Sequence, residues 1–303
     1  MMKRYTLLAC DIDGTLLRSD GSASLRTRQA LRLAEACGAR MVIATGRRMA
    51  STTYIAHSLG IDSPCIAHCG AVVYDPEDES ILMARQIPRQ VALRACRLAG
   101  SVGADVAVHE SVHYGRSIFV TTQRELEDAA EHWPYMVPYY RLARDFERAC
   151  RTDPVQLCIM ADTQAIRSLT LQLARDMPDE LSIVDYGMVE NGRYMIDVFG
   201  EGVDKALGLA FVADLYGIEQ SETAAFGDSV NDIELIGYAG LGVAMRNAPG
   251  DILQIADMIA PSNDDDGVAV VIEQLAAAGL LGHGAAPSSA RVGSTSQTSS
   301  QQR

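Results

Sequence analysis

Short apolar runs alternate with stretches of helical spacing in the first quarter of the chain. Residues 5–10 and 39–44 are nearly continuous apolar runs, which predict buried strands. Residues 24–38 and 47–60 repeat apolar positions at helical spacing and predict helices, each ending at a glycine. Residues 65–75 predict a further pair of strands. This alternation is typical of a parallel sheet covered by helices on both faces.

The same alternation returns near the end of the chain. Residues 203–217 and 231–240 predict helices, whereas residues 223–228 and 241–245 predict strands. This late segment is expected to belong to the same parallel-sheet domain as the first one.

The stretch between these two segments has a different pattern. Its candidate elements are strands at residues 104–113, 115–122 and 154–161, a helix at 166–177, and a closing hairpin from residues 182–187 and 193–199. Such a mixture predicts an α+β module inserted into the parallel-sheet domain.

The predicted fold class is therefore α/β, a Rossmann-like doubly wound parallel sheet with an inserted α+β domain. Residues 1–83 form the first part of the core, residues 84–198 the inserted domain, and residues 199–281 the second part of the core. Residues 282–303 are rich in Gly, Ser, Thr and Gln, and their low apolar content predicts a disordered tail.

Composition and charge narrow the range of partners. A chain of 303 residues with 48% hydrophobic residues can bury a sizeable core, and its net charge of −13 disfavours nucleic acid or an anionic membrane as partner. No apolar run approaches the ~20 residues of a membrane span, and Asp11 ends the first apolar run too early for a signal peptide. The seven cysteines are scattered without a C-x-x-C pair, which indicates a reduced, cytoplasmic protein.

Polar residues and glycines follow three of the predicted strands. They are Asp11, Asp13, Gly14 and Thr15 after the first strand, Thr45, Gly46 and Arg47 after the second, and Gly227, Asp228, Ser229, Asn231 and Asp232 after the late one. Because ligands bind beyond the carboxyl ends of strands in open parallel sheets, we expect these residues to share one cleft.

The residue types in this cleft predict phosphoryl chemistry. Four carboxylates repel one another unless a cation is present, and a hard divalent ion such as Mg²⁺ suits oxygen ligands. Thr45, nearby backbone N–H groups and Lys205 could hold a tetrahedral anion. A spare carboxylate could then act as the nucleophile and give an aspartyl-phosphate.

Four of these motifs occur in the order of a known family. The chain resembles the haloacid dehalogenase superfamily through DIDGTL at residues 11–16, ATGR at 44–47, Lys205, and GDSVND at 227–232. GVAMRNA (242–248) and DDDGVAVVIEQL (264–275) resemble its Cof-type subfamily IIB, whose members carry an inserted cap of the C2B kind. The resemblance covers nearly the whole chain except the tail.

The resemblance implies a role for each matching residue. Asp11 would be the nucleophile, and Asp13 would protonate the leaving alkoxide and then activate water. Asp11, the backbone carbonyl of Asp13, and Asp228 would hold Mg²⁺, with Asp232 in support. The groups that would bind the phosphoryl oxygens are the Ile12 backbone N–H, Thr45, Gly46, Lys205 and Asn231, with Arg47 in a supporting role or in a simple salt bridge.

The implied function is a Mg²⁺-dependent phosphatase of small phosphorylated metabolites such as sugar phosphates, flavin mononucleotide or pyridoxal phosphate. One alternative is a phosphotransferase or mutase, in which the aspartyl-phosphate passes to another hydroxyl. A receiver-like phospho-accepting domain is a second alternative, but receivers are compact and lack so large an insert. A non-catalytic binding protein is a third, and the intact acids disfavour it.

Two further patterns have more ordinary explanations. HESVH at residues 109–113 matches the zinc-protease pattern H-E-x-x-H, which requires a helix, whereas the flanking residues favour strand or turn. An alternative is that His109, His113, Tyr114 or Arg116 contacts substrate from the cap. CIAHC at residues 65–69 lacks the second ligand pair of a zinc site and is expected to be a buried strand-to-loop segment.

The chain departs from the family pattern at two positions. Cys69 stands where the subfamily usually has Asn, and Arg246 stands where it usually has Gly. Both are expected near the cleft side of the core, where they would affect loop geometry or substrate choice rather than the nucleophile.

Overall fold

The strands of the protein are short and mostly buried. The computed structural model describes residues 4–112, 117–132, 134–189 and 192–282. The strands are β1 (Leu7–Cys10), β2 (Arg40–Ile43), β3 (Cys65–Ala67), β4 (Val72–Tyr74), β5 (Ile81–Ala84), β6 (Asp105–His109), β7 (Ile118–Val120), β8 (Tyr140–Leu142), β9 (Gln156–Ala161), β10 (Leu181–Met188), β11 (Tyr194–Gly200), β12 (Thr223–Gly227), β13 (Leu241–Met245) and β14 (Met258–Ala260).

The α-helices lie between strands in both halves of the chain. They are α1 (Leu25–Ala36), α2 (Met49–Leu59), α3 (Arg89–Ser101), α4 (Gln123–His132), α5 (Phe146–Ala149), α6 (Thr163–Asp176), α7 (Lys205–Tyr216), α8 (Ile233–Tyr238), α9 (Gly250–Ile255) and α10 (Gly267–Ala277). Ser24, Asp162 and Asp204 each cap a helix by accepting a hydrogen bond from a backbone N–H of the first turn.

The core contains a five-stranded parallel sheet in the order β14-β13-β12-β1-β2. Alternate residues of β1 point to opposite faces of this sheet. Leu8 and Cys10 pack with α1 and α10, whereas Leu7 and Ala9 pack with α7 and α8. The prediction of a parallel sheet covered on both faces is confirmed. The strand order places the ends of β1, β2 and β12 side by side.

A smaller antiparallel sheet continues the core beside β2. Ala44 pairs in parallel with Ile66 of β3, and β3, β4 and β5 then pair antiparallel. Between β3 and β4 the backbone turns through His68 and Cys69, both with a positive φ of about 50°. Because this turn brings Cys69 under the carboxyl ends of the core strands, the predicted strand pair at residues 65–75 also shapes the cleft.

The inserted region forms a separate six-stranded sheet in the order β10-β11-β9-β6-β7-β8. Its neighbours pair antiparallel except β7 and β8, which are parallel. Helices α3 and α6 pack on one face of this sheet, and the opposite face is directed at the core. The predicted α+β insert is confirmed, and we call this region the cap.

The chain passes between core and cap at residues 85–88 and 201–204, after β5 and β11. The domain boundaries at residues 83/84 and 198/199 stay predictions, close to these crossings. Three residues that were considered for substrate contact, His113, Tyr114 and Arg116, lie outside the described residues, as does the tail from residue 283 onward.

Local differences from the predicted elements follow from short-range hydrogen bonding. The helix predicted at residues 231–240 begins as a 3₁₀ turn, Val230–Asp232, because Ser229 and Asp232 form a capping box there, and the α-helix follows only at Ile233. The strand predicted at residues 115–122 is restricted to Ile118–Val120 within the described part. The predicted hairpin appears as β10 and β11.

All seven cysteines are free thiols, including Cys96 and Cys150, whose Sγ atoms lie 3.8 Å apart. Among the helices of the described ranges, none combines the length and apolar character that a membrane crossing needs.

Candidate active site

Three carboxylates converge where β1 and β12 end. Asp11 follows β1 and donates its backbone N–H to Phe226 O of β12, at 3.0 Å, which fixes the strand ends together. Carboxylate oxygens of Asp11, Asp228 and Asp232 lie within 4.8 Å of one another. The sequence rule that polar residues collect at strand ends therefore predicted this convergence correctly.

Lys205 is the one lysine of the described chain and lies fully buried between two of these acids. It begins α7, and its Nζ donates to Asp11 Oδ1 at 2.8 Å and to Asp232 Oδ1 at 2.7 Å. Burial opposes the charge on its amine, but the Asp11 and Asp232 carboxylates outweigh burial and raise the pKa of Lys205. A single ammonium group thus faces three carboxylates.

Lys205 does not balance all of the negative charge of the cluster, and the pKa values of Asp11 and Asp228 are raised. Burial raises the pKa of Asp11 to about 8 despite the opposing effect of Lys205, and the charges of Asp232 and Asp228 add to the increase. Burial likewise raises the pKa of Asp228 to about 6, against the hydrogen bond from Thr15. A bound cation would relieve this repulsion, and the hard oxygen donors of the cluster fit a divalent ion such as Mg²⁺.

Asp232 is held more tightly than the other two acids. Its Oδ1 accepts from Lys205, and its Oδ2 accepts from the backbone N–H groups of Asp228 and Ser229, each at 3.0 Å. The side chain is fully buried. Because Asp232 is fully buried and accepts three hydrogen bonds, one of them from an ammonium group, it is better placed to orient Lys205 and the Asp228 loop than to bind a metal directly.

Two residues that position Asp228 were given no role from the sequence. Thr15 Oγ1 donates to Asp228 Oδ1 at 2.6 Å, and Asn247 Nδ2 donates to Asp228 Oδ2 at 3.3 Å and to Gly14 O at 2.8 Å. Asn247 follows β13, so the strand-end rule could have found it. Gly14 has a φ of +75°, and a Cβ there would lie 2.2 Å from Asp228 Oδ2, so the close approach requires glycine.

Asp13 has a different environment from Asp11, although the two acids are separated only by Ile12. Its carboxylate is largely exposed and forms a two-pronged ion pair with Arg47, from Nε to Oδ2 at 2.6 Å and from Nη2 to Oδ1 at 2.5 Å. Arg47 therefore forms the salt bridge considered from the sequence, and its partner is a candidate catalytic residue. This pair holds Asp13 at the mouth of the cleft.

The candidate phosphate-binding groups surround Asp11 on the core side. Thr45 and Gly46 line the same cleft, and Gly46 is closely packed, since a Cβ there would lie 3.2 Å from Cys69 Sγ and 3.3 Å from Asn231 Nδ2. The Ile12 side chain is buried in the core, and its carbonyl accepts from the backbone N–H groups of Leu16 and Leu17. That arrangement shapes the loop after β1 into a turn around the strand end.

The two departures from the family pattern lie in different environments. Cys69 is buried in the cleft, where its Sγ contacts Asn231 Nδ2 at 3.6 Å and Tyr186 OH at 3.4 Å. Burial raises the pKa of Cys69 to about 12, so its thiol is neutral. Arg246 is exposed after β13 and does not line the cavity.

Further side-chain contacts, besides that of Cys69 with Tyr186, hold the cap over the core. Gln156 Oε1 lies 2.8 Å from His68 Nδ1, Asn231 Nδ2 donates to Tyr186 OH at 3.2 Å, and the Arg48 guanidinium lies 3.9 Å from the centre of the Tyr139 ring. A cavity of about 810 Å³ remains between the two regions. The acids form its floor, and the cap face forms its roof.

The cap face of this cavity mixes apolar and polar side chains. They are Ala107, Met136, Tyr139, Tyr140, Cys158, Met160, Val189 and Met195, together with His109, Gln156, Tyr186 and Asp197. A volume of this size exceeds what a phosphate group fills. The cavity can therefore enclose the organic part of a small ligand as well.

The HESVH segment does not form the helix that a zinc protease needs. His109 ends β6, and Glu110 pairs with Arg151, while residues 110–112 are not helical. Burial, with His68 and Arg48 nearby, keeps the pKa of His109 well below its ordinary value, so its ring is neutral. His109 instead lines the cavity, and the zinc interpretation stays disfavoured.

A sequence model of haloacid dehalogenase-like hydrolases matches residues 8–272 of the chain, which spans all of the site just described. The chain belongs to this family.

Many of the similar proteins are named phosphatases. The 5-amino-6-(5-phospho-D-ribitylamino)uracil phosphatase YitU of Bacillus subtilis is 26% identical over 280 residues, which cover 88% of this chain and 96% of that protein. The phosphatase YwpJ of the same species is 29% identical over 286 residues, covering 89% and 99%. The haloacid dehalogenase-like hydrolase described here is accordingly a phosphatase.

Solved structures of the family agree with the fold. The phosphatase BT1666 of Bacteroides thetaiotaomicron superposes with a TM-score of 0.76 at 28% identity, covering 90% of this chain and 96% of that one. The subclass IIB sugar phosphatase BT4131 gives a TM-score of 0.73 at 25% identity, with coverage of 89% and 99%. The resemblance to subfamily IIB stated from the motifs is confirmed.

Proposed function

We propose that this phosphatase is a Mg²⁺-dependent phosphomonoesterase of small phosphorylated metabolites and that it works through an aspartyl-phosphate on Asp11. The observation that carries the proposal is the placement of the Asp11 carboxylate. It lies at the floor of an 810 Å³ cavity, hydrogen-bonded by Lys205, beside Asp228 and below Thr45 and Gly46. An anchored carboxylate surrounded by anion-binding groups suits attack on phosphorus.

In the first step, an Asp11 oxygen attacks the phosphorus atom and the ester P–O bond breaks. The Thr45 hydroxyl, the loop N–H groups, Asn231 Nδ2 and Lys205 Nζ stabilise the charge that develops on the phosphoryl oxygens. The leaving alkoxide takes a proton from Asp13. The products of this step are the free alcohol and the phosphorylated Asp11.

In the second step, a water molecule attacks the phosphorus atom of the aspartyl-phosphate. Asp13, now a carboxylate, accepts the proton of that water. The bond between Asp11 and phosphorus breaks, inorganic phosphate leaves, and the Asp11 carboxylate is restored. Asp13 then carries the proton that the leaving group takes in the next cycle.

Asp11 and Asp228, with the backbone carbonyl of Asp13, would hold the metal ion. When bound, Mg²⁺ would neutralise part of the acid cluster and polarise the phosphoryl group. Thr15 and Asn247 support the proposal because they fix both Asp228 oxygens in orientation. Asp232 contributes indirectly, by holding Lys205 and the Asp228 backbone.

For the substrate we propose a phosphate ester larger than a two-carbon unit, of the sugar phosphate, flavin mononucleotide or pyridoxal phosphate class. The cavity volume supports this choice, as do the names of the relatives, which include a ribitylaminouracil phosphatase and a sugar phosphatase. A phosphotransferase would differ in its products, since it would pass phosphate to an added alcohol at the expense of inorganic phosphate.

The testing experiment measures phosphate release from para-nitrophenyl phosphate with Mg²⁺ or with a chelator. The wild type is expected to release phosphate with Mg²⁺ and to stop when the metal is removed. Asp228→Asn should need more Mg²⁺ for half-maximal rate, whereas Asp214→Asn, which removes an exposed acid from α7, should behave as wild type. Activity that is unaffected by the chelator, or absent with Mg²⁺, would overturn the proposal.

Asp13→Asn is expected to slow turnover by about 10²-fold, because it removes the group that moves protons in both steps. With an activated aryl ester, whose leaving group needs little protonation, the first step should suffer less than the second. The phosphorylated enzyme should then accumulate and be visible as a mass increase of the intact protein. Equal loss with aryl and alkyl esters, and no accumulated adduct, would count against this role.

A further inference from the structure

Asp197 is a buried acid that the chemistry proposed above does not use. It lies on β11 in the cap, is 5% exposed, and lines the cavity that has Asp11 at its floor. Its neighbour across the sheet is Cys158 of β9, and Ala107 of β6 is the next residue in that row. Because side chains in one row point to the same face of a sheet, this carboxylate is directed from the cap toward the core.

The surroundings of Asp197 supply neutral donors and no compensating cation. The Gln156 amide, the Cys158 thiol and the Tyr186 hydroxyl lie near its carboxylate, while burial raises its pKa to about 6. Within the described residues no Lys or Arg forms an ion pair with it, and its Oδ1 has no hydrogen-bond partner. The acid is therefore charged at neutral pH and has one oxygen left for a donor.

Two other buried polar atoms in the same cavity have no hydrogen-bond partner in the described part of the chain. They are His109 Nδ1 on the cap side and Asn231 Oδ1 on the core side. Buried polar groups are nearly always satisfied in folded proteins, and these three face one cavity, where a ligand or water can complete them. Asn231 lies beside the phosphate-binding groups, whereas Asp197 and His109 belong to the roof.

The roof is otherwise lined by side chains that suit a flat, weakly polar group. Met136, Met160 and Met195 offer adaptable thioether surfaces, and Tyr139 adds an aromatic ring. A ligand that extends from the floor to the roof thus meets an apolar wall and then an acidic oxygen. An anionic group would be repelled at that position.

We propose that Asp197 is a specificity-determining residue that binds a hydroxyl or N–H donor on the organic part of the substrate. The preferred substrate is then a phosphate ester that carries a ring for the methionine and tyrosine wall and a donor for Asp197. Esters that carry a second negative charge are disfavoured by the same carboxylate. This inference rests on the proposed function for the position of the phosphate group.

The first experiment compares esters with the wild-type enzyme. Flavin mononucleotide and pyridoxamine phosphate offer a ring with donors, para-nitrophenyl phosphate a ring without one, and phosphoglycolate a carboxylate. The kcat/KM values are first corrected for leaving-group reactivity with a metal-catalysed reference reaction. After this correction, at least one donor-bearing ester should have a higher kcat/KM than para-nitrophenyl phosphate. Phosphoglycolate should have the lowest value. A ranking led by phosphoglycolate would overturn the proposal.

The second experiment tests Asp197→Asn, which keeps the shape of the side chain and removes its charge. The variant should lose about 10-fold or more in kcat/KM for the best donor-bearing ester, change less than about twofold with para-nitrophenyl phosphate, and gain activity on phosphoglycolate. Asp179→Asn removes an exposed acid of the cap just before β10 and should change none of these values. An equal loss with every ester would show a merely structural role.

A binding measurement separates this inference from the proposed function. Calorimetry can measure the binding of flavin mononucleotide or pyridoxamine phosphate to the Asp11→Asn variant. This variant is expected not to hydrolyse the ester, so the measurement needs no turnover. Adding Asp197→Asn to that background should weaken the binding of the donor-bearing ester by about 10-fold. If Asp197→Asn weakens binding but the wild type releases no phosphate, only the proposed function would be overturned. If the wild type releases phosphate but Asp197→Asn leaves binding unchanged, only the role of Asp197 would be overturned.

Discussion

Asp11→Asn is expected to abolish phosphate release while making the metal-free protein more stable. The loss of activity should exceed about 10³-fold, because the variant lacks the attacking oxygen. The gain in stability follows from the acid cluster, in which one lysine faces three carboxylates. Removing one negative charge relieves repulsion that burial makes costly.

The direction of the expected change in stability follows from the pKa of Asp11. The pKa of Asp11 is raised to about 8 in the folded protein, compared with ~3.9 in an unfolded chain. The folded state therefore binds more protons between these values, so the free energy of unfolding of the metal-free wild type falls as pH rises from about 4 to about 8. Asp11→Asn lacks this contribution and should be more stable at pH 8 but not at pH 4.

Thermal unfolding with a chelator is the measurement that checks it. At pH 8 we expect a melting temperature higher than wild type by about 4 °C, corresponding to roughly 2 kcal/mol. Asp214→Asn is the control for a loss of charge at an exposed site. A variant that is inactive and also less stable at pH 8 would contradict the view that Asp11 is retained at a cost in stability.

Lys205→Met is expected to have the opposite effect on stability. Methionine fills similar space but leaves Asp11 and Asp232 buried without their shared cation. Breaking a buried ion pair from one side typically costs about 3–5 kcal/mol, and we expect a loss of that order in urea unfolding at neutral pH. Phosphate release should fall by at least about 10²-fold, because a donor to the developing phosphoryl charge is lost.

A double variant distinguishes charge from packing in that result. Lys205→Met combined with Asp11→Asn removes one of the stranded carboxylates and should recover a substantial part of the lost stability. If the two changes were simply additive, or if the double variant were the least stable of all, the lysine would act mainly by filling space. The comparison needs no activity, so it does not depend on the substrate.

Much of the acid cluster could be predicted because parallel strands end at one edge of a sheet. Asp11, Thr45 and Asp228 each follow a buried strand directly, and the order of the strands brings them together. Lys205 was placed by its match to a family motif, since nothing in its local sequence distinguishes it from an exposed helix lysine. Its complete burial is a result of the fold.

The cap contribution could not be read in the same way. Tyr186 and Asp197 reach the cavity because of the pairing register of β10 and β11, which includes a bulge between Asp185 and Gly187. Gln156 contacts His68 only once the cap is docked on the core. The pairing of Asp13 with Arg47 also depends on distance in space, because both residues merely follow strands in the sequence.

The burial of Lys205 also makes the chain its own reporter of unfolding. Lys3 and Lys205 are its two lysines, and the side chain of Lys205 is closed off from solvent by the core. In the absence of substrate its ammonium group is buried and held by Asp11 and Asp232, so an amine-reactive reagent reaches Lys205 only when the site around it opens. Mass spectrometry can follow the labelling of the peptide that contains Lys205. The rate of this labelling measures how often that opening occurs.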